Sequence, residues 1–214
     1  MDTAVVIRRG VPRGAEERVA ELYWEAFGRK LGAALDPPER GRAFLARHLN
    51  HDRAAVALAP GGDRVVGVAG YQLGGRALTG GGVRDVLRAY GLFRGLPRLA
   101  ALALLERTAE RGELVMDGIA VDPAHRGAGI GSLLLTEIAA VAAGHGCSRI
   151  RLDVVDVNPR ARALYARHGF AAVRTERTPY LRALMGFGAV TTMHRTVPGH
   201  PGGAGPGNPL EQQR

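Results

Sequence analysis

His125-Arg126-Gly127-Ala128-Gly129-Ile130-Gly131-Ser132 sets an arginine and three alternating glycines between a strand-like run and a helix-like run. Leu114 to Val121 before it is mostly apolar and ends at Asp122-Pro123. After it, Leu133, Leu134, Leu135, Ile138, Ala139 and Val141 recur with roughly helical spacing. A glycine-rich turn that opens a helix suits an anion, because bare backbone N–H groups and the positive end of the helix dipole converge there. The stretch predicts a phosphate-bearing cofactor held where a strand hands over to a helix.

Outward from this turn, the strand is expected over Glu113 to Val121 and the helix from Gly129 to about Ala143. A further strand follows from Ser148 to about Val157, in which Arg149, Arg151 and Asp153 alternate with Ile150, Leu152 and Val154. Asn158-Pro159 then supplies an N-cap residue and a proline at the first helical position; that helix runs to His168, and Gly169 closes it. Phe170 to Arg174 and Ala189 to Thr196 read as the last strands, with an irregular Thr178 to Gly188 between them. Upstream, Thr3 to Arg9 reads as a first strand. A helix from Ala15 to about Leu31 carries Val19, Leu22, Tyr23, Ala26 and Phe27 on one core-packing face, with Arg29 and Lys30 in its last turn. Pro37 and Pro38 open a second helix to about Leu49, and Arg53 to Ala59 and Arg64 to Leu73 form a hairpin around Pro60-Gly61-Gly62-Asp63.

Two more helices are expected, Val83 to about Phe93 and Pro97 to about Arg111, the second with Leu99, Leu102, Leu105 and Ala109 as its apolar seam. About 35 residues between two strands is long for a connection. It reads as a structural or interface extension ahead of a pocket wall. This order of elements gives an α/β (α+β) fold with a mixed sheet. Residues 1–197 are expected to form a single domain that includes a helical insertion at about 76–112. From Pro198 to Pro209, nine of twelve residues are glycine or proline, so residues 198–214 are expected to be a disordered tail.

The chain of 214 residues is long enough for one sizeable core, and 46% hydrophobic with 23% charged residues is ordinary for a globular protein. Its apolar runs fall far short of the ~20 residues that span a bilayer, and Met1-Asp2-Thr3 leads into a strand without a basic leader; a cytoplasmic location is expected. Cys147 stands alone, which excludes an intrachain disulfide and fits a small core residue. The net charge of +9 favours acidic ligands, and Lys30 is the only lysine. The arginines are scattered and aromatics make up 5%, so no basic stripe with stacking rings points to nucleic acid.

The glycine spacing is not G-x-G-x-x-G, and no glycine-lysine-serine or glycine-lysine-threonine P-loop ending occurs. The histidines are dispersed without H-E-x-x-H, so no metal site is expected, and there is no G-x-S-x-G elbow. What remains is a conjunction. Ile119-Ala120-Val121-Asp122-Pro123-Ala124-His125-Arg126-Gly127-Ala128-Gly129-Ile130-Gly131 is followed about 30 residues later by Asn158-Pro159-Arg160-Ala161-Arg162-Ala163-Leu164-Tyr165-Ala166-Arg167-His168-Gly169-Phe170. The pair resembles the Gcn5-related N-acetyltransferase (GNAT) family in its Arg/Gln-x-x-Gly-x-Gly/Ala turn after the fourth strand and its N-x-x-A-x-x-L-Y-x-x-x-G-F helix. The likeness is carried by about Glu113 to Val173 and extends in element order over Thr3 to Val197.

The resemblance implies a mixed, mostly antiparallel sheet of about seven strands with splayed fourth and fifth strands. It also implies acetyl-CoA (coenzyme A) as cofactor and direct transfer of an acetyl group to a primary amine in a ternary complex. Arg126, Gly127, Ala128, Gly129, Ile130, Gly131 and Ser132 would hold the pyrophosphate through the turn and the helix start. Ile119, Ala120 and Val121 would offer main-chain groups to the pantetheine arm, one N–H polarising the thioester carbonyl. Tyr165 occupies the position of the family's general acid and Asn158 that of its cofactor-contacting asparagine, although a helix N-cap also explains Asn158. The base is open among Asp117, Glu113 and a water chain. By period two, Asp117 lies on the strand face of Ile119 and Val121, and Glu113 shares that parity barring a bulge. The acceptor, a small-molecule or protein amine, is not specified. Tyr180, Leu181, Met185 and Phe187 are expected at the pocket rim, or covering a core or a homodimer face. A non-catalytic acyl-CoA-binding module is the competing class, and a nucleic-acid-binding protein ranks behind it.

Overall fold

In the computed structural model, which describes residues 4–103, 109–178, 182 and 186–198, the short Val/Ala-rich runs join into one seven-stranded sheet in the order β1-β2-β3-β4-β5-β7-β6. The strands are β1 (Val6–Arg9), β2 (Ala54–Leu58), β3 (Val65–Gln72), β4 (Glu113–Val121), β5 (Arg149–Val155), β6 (Ala171–Arg177) and β7 (Ala189–Thr196). Neighbours run antiparallel except β4 and β5, which are parallel. The fold is thus the expected mixed α/β one, mostly antiparallel and flanked by helices.

The helices are α1 (Glu16–Leu35), α2 (Pro38–Arg47), α3 (Val83–Tyr90), α4 (Leu92–Ala103), α5 (Ile130–Gly144) and α6 (Pro159–Arg167). They cover the sheet on both faces, which is why every residue of β2 is buried. On one face Ile130, Leu134, Leu135 and Ile138 of α5 and Tyr165 of α6 pack on Leu114, Ile150 and Leu152. On the other, Val19 and Leu22 of α1, Phe44 and Leu45 of α2 and Val86 and Tyr90 of α3 pack on Val56 and Val68. Cys147 is buried with its thiol pushed up by burial, as a small core residue should be.

Three local readings change. Helix α1 continues a turn past Leu31 to the buried Leu35, so Arg29 and Lys30 are not in its last turn. Ala33 and Ala34 favour the helix, and it stops where Asp36 precedes Pro37 and turns extended. Helix α4 starts at Leu92, just after Gly91 with φ 77°, and runs through Pro97 instead of beginning there. The insertion, expected first as an extension, is built into the second layer. Leu78 is fully buried, the Tyr90 hydroxyl donates to Leu35 O at 2.6 Å, and residues 75–83 wall a cavity. Leu105, Tyr180, Leu181, Met185 and the tail from residue 199 lie outside the described residues; Phe187 is buried. Among the described residues, no helix is long and apolar enough to cross a membrane.

Candidate active site

Strand β4 is followed by Asp122, a carboxylate only 6% exposed. Ala124 N–H donates to its Oδ1 at 2.9 Å, Arg64 reaches Oδ2 at 3.3 Å, and Arg18 also donates to Oδ2. The bond from Ala124 is the main reason the carboxyl sits below its ordinary range; burial opposes it, and Arg18, His125 and Arg64 add to it. An ionised Asp122 therefore ties the turn Pro123–His125 to α1 and the sheet. The chain then presents exposed backbone at Arg126, Gly127, Ala128 and Gly129 before α5 begins at Ile130.

Gly127 and Gly129 have φ of 86° and 77°, and a β-carbon at either would meet nothing within 4 Å. Conformation, not space, demands glycine here. The result is an open backbone concavity at the N-terminus of a helix whose first N–H groups, those of Ile130 and Gly131, precede its hydrogen-bonded ladder, while Ser132 N–H already donates to Gly129 O at 2.9 Å. Arg126 opens the turn, its Nε donating to Val121 O at 3.1 Å and its Nη2 to Glu25 at 3.2 Å. Ile130 is buried, so its part in any ligand contact falls to its N–H; Ser132 is half-buried. A β-carbon on Gly131 would lie 3.0 Å from Leu164 Cδ2. That close approach seats α6 against α5 and joins the two sequence motifs. Donors on exposed, preformed backbone beside an arginine fit the oxygens of a pyrophosphate.

The strands on either side of this turn part. The β4–β5 ladder runs only from Glu113↔Arg149 to Val115↔Arg151, although β4 continues to Val121 and β5 to Val155. Between β3 and β4, Gly70 opposes Gly118 while Tyr71 opposes Met116, so Asp117 is an extra residue in β4. This bulge reverses the parity on which the sequence reading relied. Met116, Ile119 and Val121 pack toward α5, whereas Asp117 lines a cavity with Tyr23 and Phe27 of α1 on the other face. Asp117 therefore does not share the face of Ile119 and Val121. Its Oδ2 accepts from Leu78 N–H at 3.0 Å. Gly118, at φ 150°, makes the arrangement fit: a β-carbon there would be 2.3 Å from Phe27 Cζ.

Glu113 goes elsewhere. Its side chain is 1% exposed and held by Arg149 at 2.9 Å and Arg151 at 3.2 Å, with Glu110 N–H at 3.3 Å. Both oxygens are engaged at the closed end of the β4–β5 pair, and Glu113 does not line the cavity. Tyr165 is 7% exposed, its ring centroid 5.9 Å from that of Phe170, and burial pushes its phenol up to about 12. It keeps its proton throughout the physiological range. Asn158 is exposed and acts as N-cap, its Oδ1 accepting from Ala161 N–H at 3.1 Å.

The cavity itself, of about 1020 Å³, is lined in part by residues that the sequence does not mark. Tyr23, read from its spacing as core, is buried at the cavity wall. Its phenol is raised well above the ordinary value by burial first, then by Asp117 and Tyr165. Tyr23 thus lies within electrostatic reach of both Asp117 and Tyr165. Asp153, which the sequence shows only in alternation with apolar residues, also lines the cavity and accepts from Thr192 Oγ1 at 2.5 Å. The alternation of β5 puts it on the face of Arg149 and Arg151, but no local pattern signals a cavity there.

Known proteins give this geometry a context. A thialysine N-epsilon-acetyltransferase from Bos taurus is 45% identical over 56 residues, 26% of this chain and 33% of that protein. A streptothricin acetyltransferase from Streptomyces lavendulae is 38% identical over 73 residues, 34% of this chain and 39% of its own length. The chain thus matches little more than a third of these curated relatives. By structure, yncA from Salmonella typhimurium, solved with its cofactor acetyl-CoA, superimposes with a TM-score of 0.58 at 16% identity, covering 92% of this chain and 96% of that one. The profile of the acetyltransferase (GNAT) family, whose donor is acetyl-CoA, matches residues 16–170. The chain belongs to the acetyltransferase (GNAT) family.

Proposed function

We propose that the protein is an acetyl-CoA-dependent N-acetyltransferase in which a primary amine attacks the thioester directly, in a ternary complex. One observation carries the reading. The fork where β4 and β5 part has the glycine turn at one side, the protonated Tyr165 at its α6 face and the Asp117 carboxylate at its α1 face. Arg126 and the N–H groups of residues 127–131 bind the pyrophosphate, with Ser132 at the same helix start. The main chain of Ile119, Ala120 and Val121 faces the pantetheine arm, and Asn158 adds a contact from the head of α6. Bound acetyl-CoA supplies an activated acyl group.

An amine with a pKa near ~10 reaches the site protonated and must lose a proton before it attacks. Asp117 accepts that proton, directly or through water. As the new C–N bond forms and the C–S bond breaks, the nitrogen gives up its second proton to water, while Tyr165 donates its phenolic proton to the departing sulfur and recovers one from solvent. The products are an amide, free coenzyme A thiol and one released proton.

Thiol release from acetyl-CoA with a panel of amines tests the reading. Tyr165→Phe is expected to lower kcat on the order of 10²-fold or more, the usual worth of a placed proton donor, with little change in acetyl-CoA affinity. Unchanged turnover across a pH series would remove Tyr165 from the acid role. Acetyl-CoA binding with no thiol release for any amine would replace the enzyme by a non-catalytic acyl-CoA-binding module.

A further inference from the structure

We infer that a second anion site, separate from the glycine turn, lies between α2 and α3 and takes a phosphate group, free or carried on an ester. Arg40, Arg47 and His48 reach it from α2 and its C-terminal end, and Asp85 and Arg88 from α3; with Phe44 they line a cavity of about 260 Å³. Three guanidinium groups thus share one small space with one carboxylate. That carboxylate is already engaged, since Asp85 Oδ2 accepts from Gly82 N–H at 2.9 Å and so caps α3. Its Oδ1 stands 3.7 Å from both Arg88 Nη1 and His48 Nε2, beyond hydrogen-bonding distance. Among the described residues, no ion pair holds Arg40 or Arg47.

What keeps these like charges together is neutral. Arg40 lies 5.8 Å from the centroid of the Tyr90 ring, and Arg98 faces the same ring at 4.6 Å while donating to the Arg94 and Asp36 carbonyls. The backbone beneath is braced: His48 Nδ1 donates to Phe44 O at 2.8 Å, and Gly80 N–H donates to His48 O at 2.8 Å. Helices α2, α3 and α4 together carry seven arginines against two carboxylates, Glu39 and Asp85. The repulsion is therefore left for an anion to relieve. With His48 counted as neutral, the pocket holds a formal excess of two positive charges, which a phosphate monoester matches. Each guanidinium presents a fork of N–H donors, and the three outer oxygens of a phosphate accept from three such forks where a carboxylate offers two oxygens. Ala43, Phe44 and Ala89 add an apolar side for the body of an ester. Arg40, Arg47 and Arg88 are exposed, so salt screens them and affinity falls as ionic strength rises.

Calorimetry on the full chain saturated with coenzyme A, which keeps the pyrophosphate site filled, reads this second site. Phenyl phosphate is expected to bind once per chain with a Kd of about 1 mM or below. Arg40→Gln and Arg47→Gln should each weaken it about tenfold. Asp85→Asn, whose amide oxygen can still cap α3, removes the one negative charge and should tighten binding about fivefold. Inorganic phosphate bound as tightly as phenyl phosphate makes the ligand free phosphate, and a tighter ester makes it a phosphate monoester; both uphold the site. Heat equal to that of sodium chloride at matched ionic strength, or an affinity unchanged in both arginine variants, overturns the inference and leaves only a solvated basic face. Binding seen without coenzyme A and lost when coenzyme A is present places the anion in the glycine turn and overturns it as well.

Discussion

Glu113 and Asp117 are carboxylates four residues apart on one strand, and they have opposite fates. Glu113 stands where β4 and β5 are still paired. Arg149 and Arg151 come from the paired strand, and the carboxylate is sealed between them at 1% exposure. Asp117 stands two residues past the last rung, on a bulge, half-buried in a cavity wall and accepting from Leu78 N–H. Residue type decides nothing here. What separates structure from chemistry is whether the neighbouring strand is still present: a paired strand brings guanidinium groups that consume the carboxylate, and a parted one leaves room for substrate. The closed end should therefore answer to stability measurements and the open end to binding and rate measurements.

Gly129→Glu is the strongest way to break that division at the open end. A like charge about 4 Å from a phosphate costs about 4 kcal/mol at an effective dielectric of 20, close to a thousandfold in affinity. Because φ is 77°, any side chain also costs about 1–2 kcal/mol of fold stability. Gly129→Ala carries the same strain without the carboxylate and serves as the control. Calorimetry is expected to find acetyl-CoA binding lost in the glutamate variant and largely kept in the alanine one; normal affinity in both would refute the cradle. At the closed end, Glu113→Gln leaves two guanidinium groups facing a neutral amide. Removing one partner of a buried pair costs about 3 kcal/mol here, the lower end of the range, because Arg149 keeps 36% of its side chain exposed. For a chain of this size that lowers Tm by roughly 6–12 °C. Turnover per folded molecule is expected to survive. Loss of turnover without loss of Tm would move Glu113 to the open end's chemistry.

The two ends also differ in how far the sequence exposes them. The cradle was readable because its signal is local: glycines at fixed offsets, an arginine and a helix start lie within eight residues. The α6 motif was readable for the same reason, since Asn158, Pro159 and Gly169 mark its ends. Asp117 was singled out, but with the wrong face, because a bulge inserts one residue into a period-two count and shows only against the partner strand. Gly118 hints at it; alone, a glycine inside a strand is ambiguous. Glu113 was misjudged for a related reason, as its arginines lie 36 and 38 positions away and meet it only through the parallel register. Tyr23 and Asp153 carry no local mark at all. They become site residues through a cavity assembled from four helices and three strands.

Acid stability gives the finest test of the division. His194 on β7 pairs with Arg151 in the ladder, so it belongs to the closed end. Burial is the first cause that lowers its imidazole below 6.5; Arg149 and Arg151 lower it further, and Glu113 and Glu110 pull the other way. A histidine lowered in the fold takes up a proton first in the unfolded chain. It stabilises the fold above the unfolded value, and that contribution is lost as pH falls through the lower folded value. Denaturant unfolding between pH 7.5 and 5 should show stability falling with pH, and His194→Gln should flatten that slope. Asp122, at the open end, titrates below its ordinary 3.8, so Asp122→Asn should lower stability at every pH in this window and leave the slope in place. Adding Glu113→Gln removes a carboxylate that favours the imidazolium and should steepen the loss. If His194→Gln leaves the slope unchanged, the pH response does not arise at the closed end, and the two ends are not electrostatically separate.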